Sequence, residues 1–178
     1  RAQRPAEGNP GGWGGGALGA SWKAVITRCL ITGNAATAGG GAASASLDRC
    51  VVTGNSALWA GGAAGCVLHR CTVTGNEAST GAGVIGGGAL DHCIVWANRA
   101  TDGQDDNHAL WGPPAEYSCT TPILAGPGNI DADPRLITAS HIAGDSPCLA
   151  AGRAGQSAGY DIDGDPWANP PALGADQP

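Results

Sequence analysis

Arg28-Cys29-Leu30-Ile31-Thr32-Gly33-Asn34 returns as Arg49-Cys50-Val51-Val52-Thr53-Gly54-Asn55 and again as Arg70-Cys71-Thr72-Val73-Thr74-Gly75-Asn76. A worn fourth copy reads His92-Cys93-Ile94-Val95-Trp96-Ala97-Asn98. The cysteines step by 21, 21 and 22 residues, and a fixed period in that range marks a solenoid. Within each copy Cys29, Ile31 and Gly33 alternate with Leu30 and Thr32, the period-two pattern of a strand. Gly-Asn then ends the strand, because both residues tolerate left-handed backbone angles. Ile26, Leu47, Leu68 and Leu90 each sit three residues before a cysteine. Residues three apart point to opposite faces of a straight strand, so burying both requires a bend at Thr27-Arg28, Asp48-Arg49, His69-Arg70 and Asp91-His92. A glycine group follows each Asn: Gly39-Gly40-Gly41, Gly61-Gly62 and Gly81-Ala82-Gly83. The pattern predicts an all-β, right-handed parallel β-helix of five to six coils, 21–22 residues per regular coil, with about three short strands and three bends in each. The hexapeptide units of the left-handed kind are absent from the sequence.

Coils stacked about 4.8 Å apart turn equivalent residues into columns. Cys29, Cys50, Cys71 and Cys93 make one inward column, and Ile31, Val52, Val73 and Val95 the next. Asn34, Asn55, Asn76 and Asn98 form a corner ladder in which each amide can bond to the next, a structural role without chemistry. Leu30, Val51, Thr72 and Ile94, with Thr32, Thr53, Thr74 and Trp96, point outward as a flat, uncharged stripe. Such a stripe predicts contact with a second copy of the chain.

The 178 residues amount to one domain. Apolar residues make up 42%, yet there is no Phe and no Met, and Gly numbers 31. The core must therefore be thin and built from Ala, Val, Leu, Ile and Cys. A net charge of −6 argues against a nucleic-acid partner. No apolar run is long enough to cross a bilayer, so no membrane span is expected. The sequence starts at Arg1 without a signal-peptide pattern and reads as a mature or excised piece. Seven cysteines invite disulfide arithmetic. Stacked cysteines have parallel Cβ vectors, which suits buried free thiols better than disulfides.

The chain divides into an N-terminal arm (1–12), coils (13–128), and a last coil with an irregular cap (129–178). Asn9 precedes Gly14-Gly15-Gly16 by the spacing of the later coils, so a first coil starts near Asn9. After the repeated phrases come Tyr117-Ser118-Cys119, Gly128-Asn129-Ile130-Asp131-Ala132-Asp133-Pro134, Gly144-Asp145-Ser146-Pro147-Cys148-Leu149-Ala150-Ala151-Gly152, Asp161-Ile162-Asp163-Gly164-Asp165-Pro166 and Gly174-Ala175-Asp176. In that order they resemble the bacterial right-handed parallel β-helix repeat proteins. The resemblance covers nearly the whole chain from about residue 9. It implies the fold and a secreted or cell-surface setting. It also implies that the chain is the C-terminal part, or a minimal version, of a longer architecture. It implies no activity, because this architecture carries lyases, hydrolases, adhesins and inert spacers alike.

Four clusters could carry chemistry. Asp102, Asp105, Asp106 and His108 place carboxylates near a histidine, the material of acid–base catalysis, or of a solvated loop. Asp161, Asp163 and Asp165 alternate around Gly164, a spacing that can curl carboxylates round a structural calcium; Asp131 and Asp133 are a weaker pair. Arg28, Arg49, Arg70 and His92 form a basic column that could bind an anionic glycan or be neutralised by Asp48 and Asp91 beside it. Trp13, Trp22, Trp59, Trp96, Trp111 and Trp167 could stack on sugars, but they occupy different repeat positions and predict no platform. The expectation is a non-catalytic extracellular structural solenoid that self-associates into a fibre or surface layer. A carbohydrate-binding or polysaccharide-cleaving β-helix, or an adhesin fragment, are the alternatives.

Overall fold

A computed structural model describes residues 9–21, 23–101, 106–113 and 115–177. The described residues are all-β, with no helix, and form a parallel β-solenoid of about five turns. Four parallel sheets make its faces. The first stacks Asn9–Trp13, Ala35–Ala38, Ser56–Trp59, Glu77–Thr80 and Arg99–Ala100. The second stacks Ala17–Leu18, Ala42–Ala43, Ala63–Ala64, Val84–Gly86 and His108–Leu110. The third holds Val25–Thr27, Ser46–Asp48, Val67–His69 and Leu90–Asp91. The fourth holds the repeated phrase itself: Leu30–Thr32, Val51–Thr53, Thr72–Thr74, Ile94–Trp96 and Cys119–Thr120.

Each regular coil therefore has four strands and four corners, one more of each than the pattern predicts. The extra corner lies within a run of small residues, at Ser44 (φ 52°), Gly65 (φ 57°) and Gly86 (φ 115°). Alanine and glycine carry no periodicity that would reveal a bend there. The other three corners fall where expected and share the same left-handed backbone. Arg28, Arg49, Arg70 and His92 have φ between 50° and 55°. Gly33, Gly54, Gly75 and Ala97 turn the second, and Gly39, Ala60 and Gly81 the third. A left-handed non-glycine costs about 1–2 kcal/mol, and it persists where the stacking on both sides dictates the backbone.

Register is kept from coil to coil on the third and fourth faces, while on the first face it shifts between Asn9 and Trp13. Ile26, Leu47, Leu68 and Leu90 lie over one another on the third face, and Ile31, Val52, Val73 and Val95 on the fourth. These two rows enclose the cysteine column in one narrow core. All seven cysteines are free thiols, and only Cys29 is exposed. Cys71 Sγ donates to the Leu47 carbonyl of the preceding coil at 3.4 Å, and Cys50 Sγ to Ile26 at 3.4 Å. Burial pushes the Cys71 thiol well up and Cys66 to about 11, which leaves both unreactive. The glycine group is a matter of space: a Cβ on Gly41 would meet Gly62 O at 2.6 Å and Val52 Cγ1 at 2.6 Å.

The asparagine ladder is present and longer than the repeats suggest. Asn34 Nδ2 donates to Asn55 Oδ1 at 3.0 Å, Asn55 to Asn76 at 3.0 Å, and Asn76 to Asn98 at 2.8 Å. Asn98 continues to Asn107 at 3.1 Å, only nine residues on, because the irregular last coil brings Asn107 back over the corner. Each acceptor oxygen also takes a main-chain N–H, as Asn76 Oδ1 takes that of Asn55 at 3.0 Å. Each inner amide further donates to a carbonyl of the coil before, as Asn76 does to Val52 O at 2.9 Å. Asn76→Ala leaves these buried groups unpaired and is expected to cost about 2–4 kcal/mol, whereas Asn34→Ala at the more open end costs under about 1 kcal/mol. Equilibrium denaturation of the two variants checks the ladder; equal losses would contradict it.

Candidate functional site

Beyond Thr120 the chain makes no further regular coil. Cys119 bridges to Ile130, and residues 148–176 fold back along the flank of the solenoid. The basic column holds this segment. Arg153 N–H donates to His92 Nε2 at 2.9 Å. Arg70 donates to the carbonyls of Ala158, at 3.1 Å, and Gln156. Arg49 donates to Tyr160 O at 3.1 Å, and Arg28 to Ile162 O at 3.4 Å. About two residues of the segment thus span each coil, and the left-handed corner aims one side chain at it per coil, an arginine in three and the neutral His92 in the fourth. Arg70 is buried, with its guanidinium 4.9 Å over the Trp167 ring, and burial lowers its pKa. The cations therefore bind main-chain carbonyls of this same chain.

Beside them runs an alternating row. Asp48, His69 and Asp91 are in register on the third face. His69 Nδ1 lies 2.8 Å from Asp48 Oδ1 and Nε2 lies 3.3 Å from Asp91 Oδ2. Asp91 Oδ1 accepts from His92 Nδ1 at 2.7 Å, which fits the Arg153 N–H occupying Nε2. Burial pushes Asp48 up, but hydrogen bonds from His69 and Arg49 outweigh it and hold the carboxyl below its ordinary 3.8. Asp91 is lowered likewise, with burial opposed by His92. Asp48 and His69 line a groove of about 760 Å³ against residues 155–159, and the charges of the row are engaged with one another.

This arrangement corrects the expected free contact stripe. Val51, Thr72, Thr74 and Ile94 do point outward from the coils, yet they are buried. The returning segment covers them: Ile94 packs with Cys119, Ile142, Cys148, Trp167, Ala172 and Leu173 in a second core. Ala175 N–H donates to Thr72 Oγ1 at 3.0 Å. Gly174, with φ 94°, lies so close that a Cβ there would meet Ile94 Cδ1 at 2.8 Å. Thr53 and Trp96 are half-buried, and only Leu30 and Thr32, at the open end of the column, remain exposed.

Of the expected acid–base cluster, Asp102 and Asp105 lie outside the described residues, and the other two members are engaged with main chain. Asp106 accepts from the main-chain N–H groups of Gly81 and Ala82, closing a corner. His108 Nε2 lies 2.9 Å from Pro122 O. The expected calcium triplet is also rearranged. Asp161 Oδ1 accepts the N–H groups of Asp163, Gly164 and Asp165 at 2.9–3.0 Å, which fastens the turn. Asp165 faces solvent, while Asp163 meets His141 Nε2 at 2.9 Å and Asp176 lies 3.5 Å from the same nitrogen. Burial raises the Asp176 carboxyl to about 6; His141 opposes this, and Asp161 and Asp163 add to it.

Three tryptophans that look scattered in sequence meet at one groove of about 480 Å³, between the first and second faces. Register explains it: Trp13 pairs with Ala38, Ala38 with Trp59, and Trp59 with Thr80. Two indoles therefore stand two coils apart, on the order of 10 Å, with a small residue between. Trp111 joins them from the end of His108–Leu110 on the second face. Trp13, Trp59 and Trp111 are 57%, 53% and 74% exposed, and no charged residue lines the groove. A signal was present: each follows an asparagine (Asn9, Asn55, Asn107) by four residues. Trp22 lies outside the described residues, and Trp167 belongs to the returning segment and is buried against the coils.

No protein family, curated protein or solved structure matches the chain. The solenoid architecture stands on the structure itself.

Arg70→Leu strands the carbonyls of Gln156 and Ala158 and removes the stack on Trp167, at an expected cost of about 2–4 kcal/mol. Arg28→Leu removes an exposed contact and costs under about 1 kcal/mol. Denaturation midpoints of the two variants decide it; the reverse order would mean that the cation column does not hold the segment.

Proposed function

We propose that this chain is a non-catalytic, extracellular β-solenoid module that binds a neutral glycan along the tryptophan groove. The observation that carries the reading is the convergence of Trp13, Trp59 and Trp111 on one uncharged groove. Flat indole faces stack on the C–H faces of pyranose rings, and each indole N–H can reach a sugar hydroxyl. Exposed aromatic surface of this size on a solenoid calls for an occupant. Spacing by two coils suits an extended chain of sugars better than a single ring. With no charge in its lining and a protein charge of −6, the groove favours neutral over acidic polymers. The secreted or cell-surface setting follows from the resemblance to bacterial β-helix proteins. Affinity electrophoresis through neutral and uronate-containing polysaccharides tests the reading. Trp59→Ala is expected to weaken binding to a neutral polymer about tenfold, roughly 1.4 kcal/mol, with the melting temperature unchanged. Binding that survives in the double variant Trp59→Ala, Trp111→Ala would sink it.

A second reading, self-association, is favoured by a different observation. The first coil exposes Leu18, Val25 and Leu30 on three successive faces, Leu30 to 62%. Among the described residues no strand pairs with the outer edges of that coil. Unpaired parallel edges beside apolar side chains fit the facing coil of a second copy. Sedimentation velocity over a hundredfold concentration range is expected to show reversible association that Val25→Glu abolishes. A monomer throughout that range excludes the reading without touching the glycan groove.

A further inference from the structure

We propose that His141, Asp163 and Asp176 form a divalent-cation site that fastens the returning C-terminal segment. The inference is independent of the glycan groove. His141 Nε2, one Asp163 oxygen and Asp176 Oδ2 all lie within 4.8 Å of one another. An acidic cluster alone would mean little, but here one donor is buried and idle. Asp176 is 1% exposed, and its Oδ2 accepts no hydrogen bond. Nearby Asp161 is 0% exposed, and its Oδ2 is equally bare, while its Oδ1 holds three N–H groups. Buried carboxylate oxygens are normally paired, and leaving them bare is costly.

One imidazole cannot neutralise the three carboxylates gathered here. Its Nδ1 lies 3.0 Å from Thr138 Oγ1 and 2.9 Å from Ser140 Oγ. A hydrogen on Nδ1 given to those hydroxyls leaves the lone pair of Nε2 facing the carboxylates, as in metal-bound histidines. Metal–ligand lengths of about 2.0–2.2 Å put neighbouring ligands of a tetrahedral ion roughly 3.4 Å apart. The two Nε2–carboxylate distances, 2.9 and 3.5 Å, bracket that spacing. A nitrogen ligand among carboxylates favours Zn²⁺, and is compatible with Mn²⁺ through the carboxylates, over Ca²⁺, which takes oxygen alone. The ligand set is thus not the Asp161, Asp163, Asp165 triplet of the sequence pattern. It draws on residues from three separate stretches, 141, 163 and 176, and would tie them together.

The experiment uses the full chain stripped with a chelator, then titrated with MnCl₂, ZnCl₂ or CaCl₂, reading melting temperature and calorimetric stoichiometry. Mn²⁺ guards against zinc captured by thiols. One Mn²⁺ or Zn²⁺ per chain is expected to raise the melting temperature by about 4 °C or more. His141→Ala and Asp176→Asn should each abolish that rise. Asp176→Asn also removes a buried charge, so the stripped variant should melt no lower than the stripped parent, which separates a lost site from a lost fold. The proposal is overturned if millimolar Mn²⁺ and Zn²⁺ shift nothing, if both variants respond like the parent, or if only Ca²⁺ acts and His141→Ala leaves that response intact.

Discussion

Equal arc length per coil is the constraint on which this molecule rests. Parallel strands exchange hydrogen bonds only while each coil returns to the starting angle of the last, and the asparagine at one corner keeps that count. Its oxygen takes two donors from the coil before, and its nitrogen reaches back to that coil's carbonyls. A slip of one residue would turn the Ile31–Val52–Val73–Val95 row from core to solvent. The ladder also explains why the irregular last coil remains in step. Asn107 occupies the next rung although the residues leading to it break the period.

The second organising element is the returning segment, which changes the meaning of the outer face. Four stacked corners offer three arginines and one histidine, and each meets a successive stretch of main chain. Seated this way, the segment lays Trp167, Leu173 and Ala172 over Ile94 and its neighbours. The charges and the apolar contacts need each other. Carbonyl contacts position the segment but return little in water, and the apolar patch lacks direction without them.

What could be read in advance follows from which residues carry periodicity. The cysteine, aliphatic and asparagine columns repeat at constant spacing with distinctive side chains, so the coil, its core rows and three of its corners were legible. The corner at Ser44 and Gly65 was not, because small residues look alike whether straight or bent. The burial of Val51, Thr72 and Ile94 was hidden for another reason. What covers them comes from sequence about a hundred residues away with no repeat of its own. The arginine column was visible as a column, but its partners are main-chain carbonyls, which leave no trace in sequence. The tryptophans misled because Ala38 and Thr80 interleave with them in the same column, so the count from Asn9, Asn55 and Asn107 was needed to see it.

The reach of Arg28 to the carbonyl of Ile162, 134 residues onward, alters how such an array can come apart. In ordinary solenoids each unit touches only its neighbours, and terminal units can peel away singly. Here the stretch from Arg153 to Ile162 is laced lengthwise to four of the coils, so the outermost of them cannot loosen without unlacing it. During synthesis the same wiring acts in reverse. The row from Val51 to Ile94 stays bare until the stretch from Ile142 to Ala175 has emerged, so the nascent rod is sticky while its coils are already made.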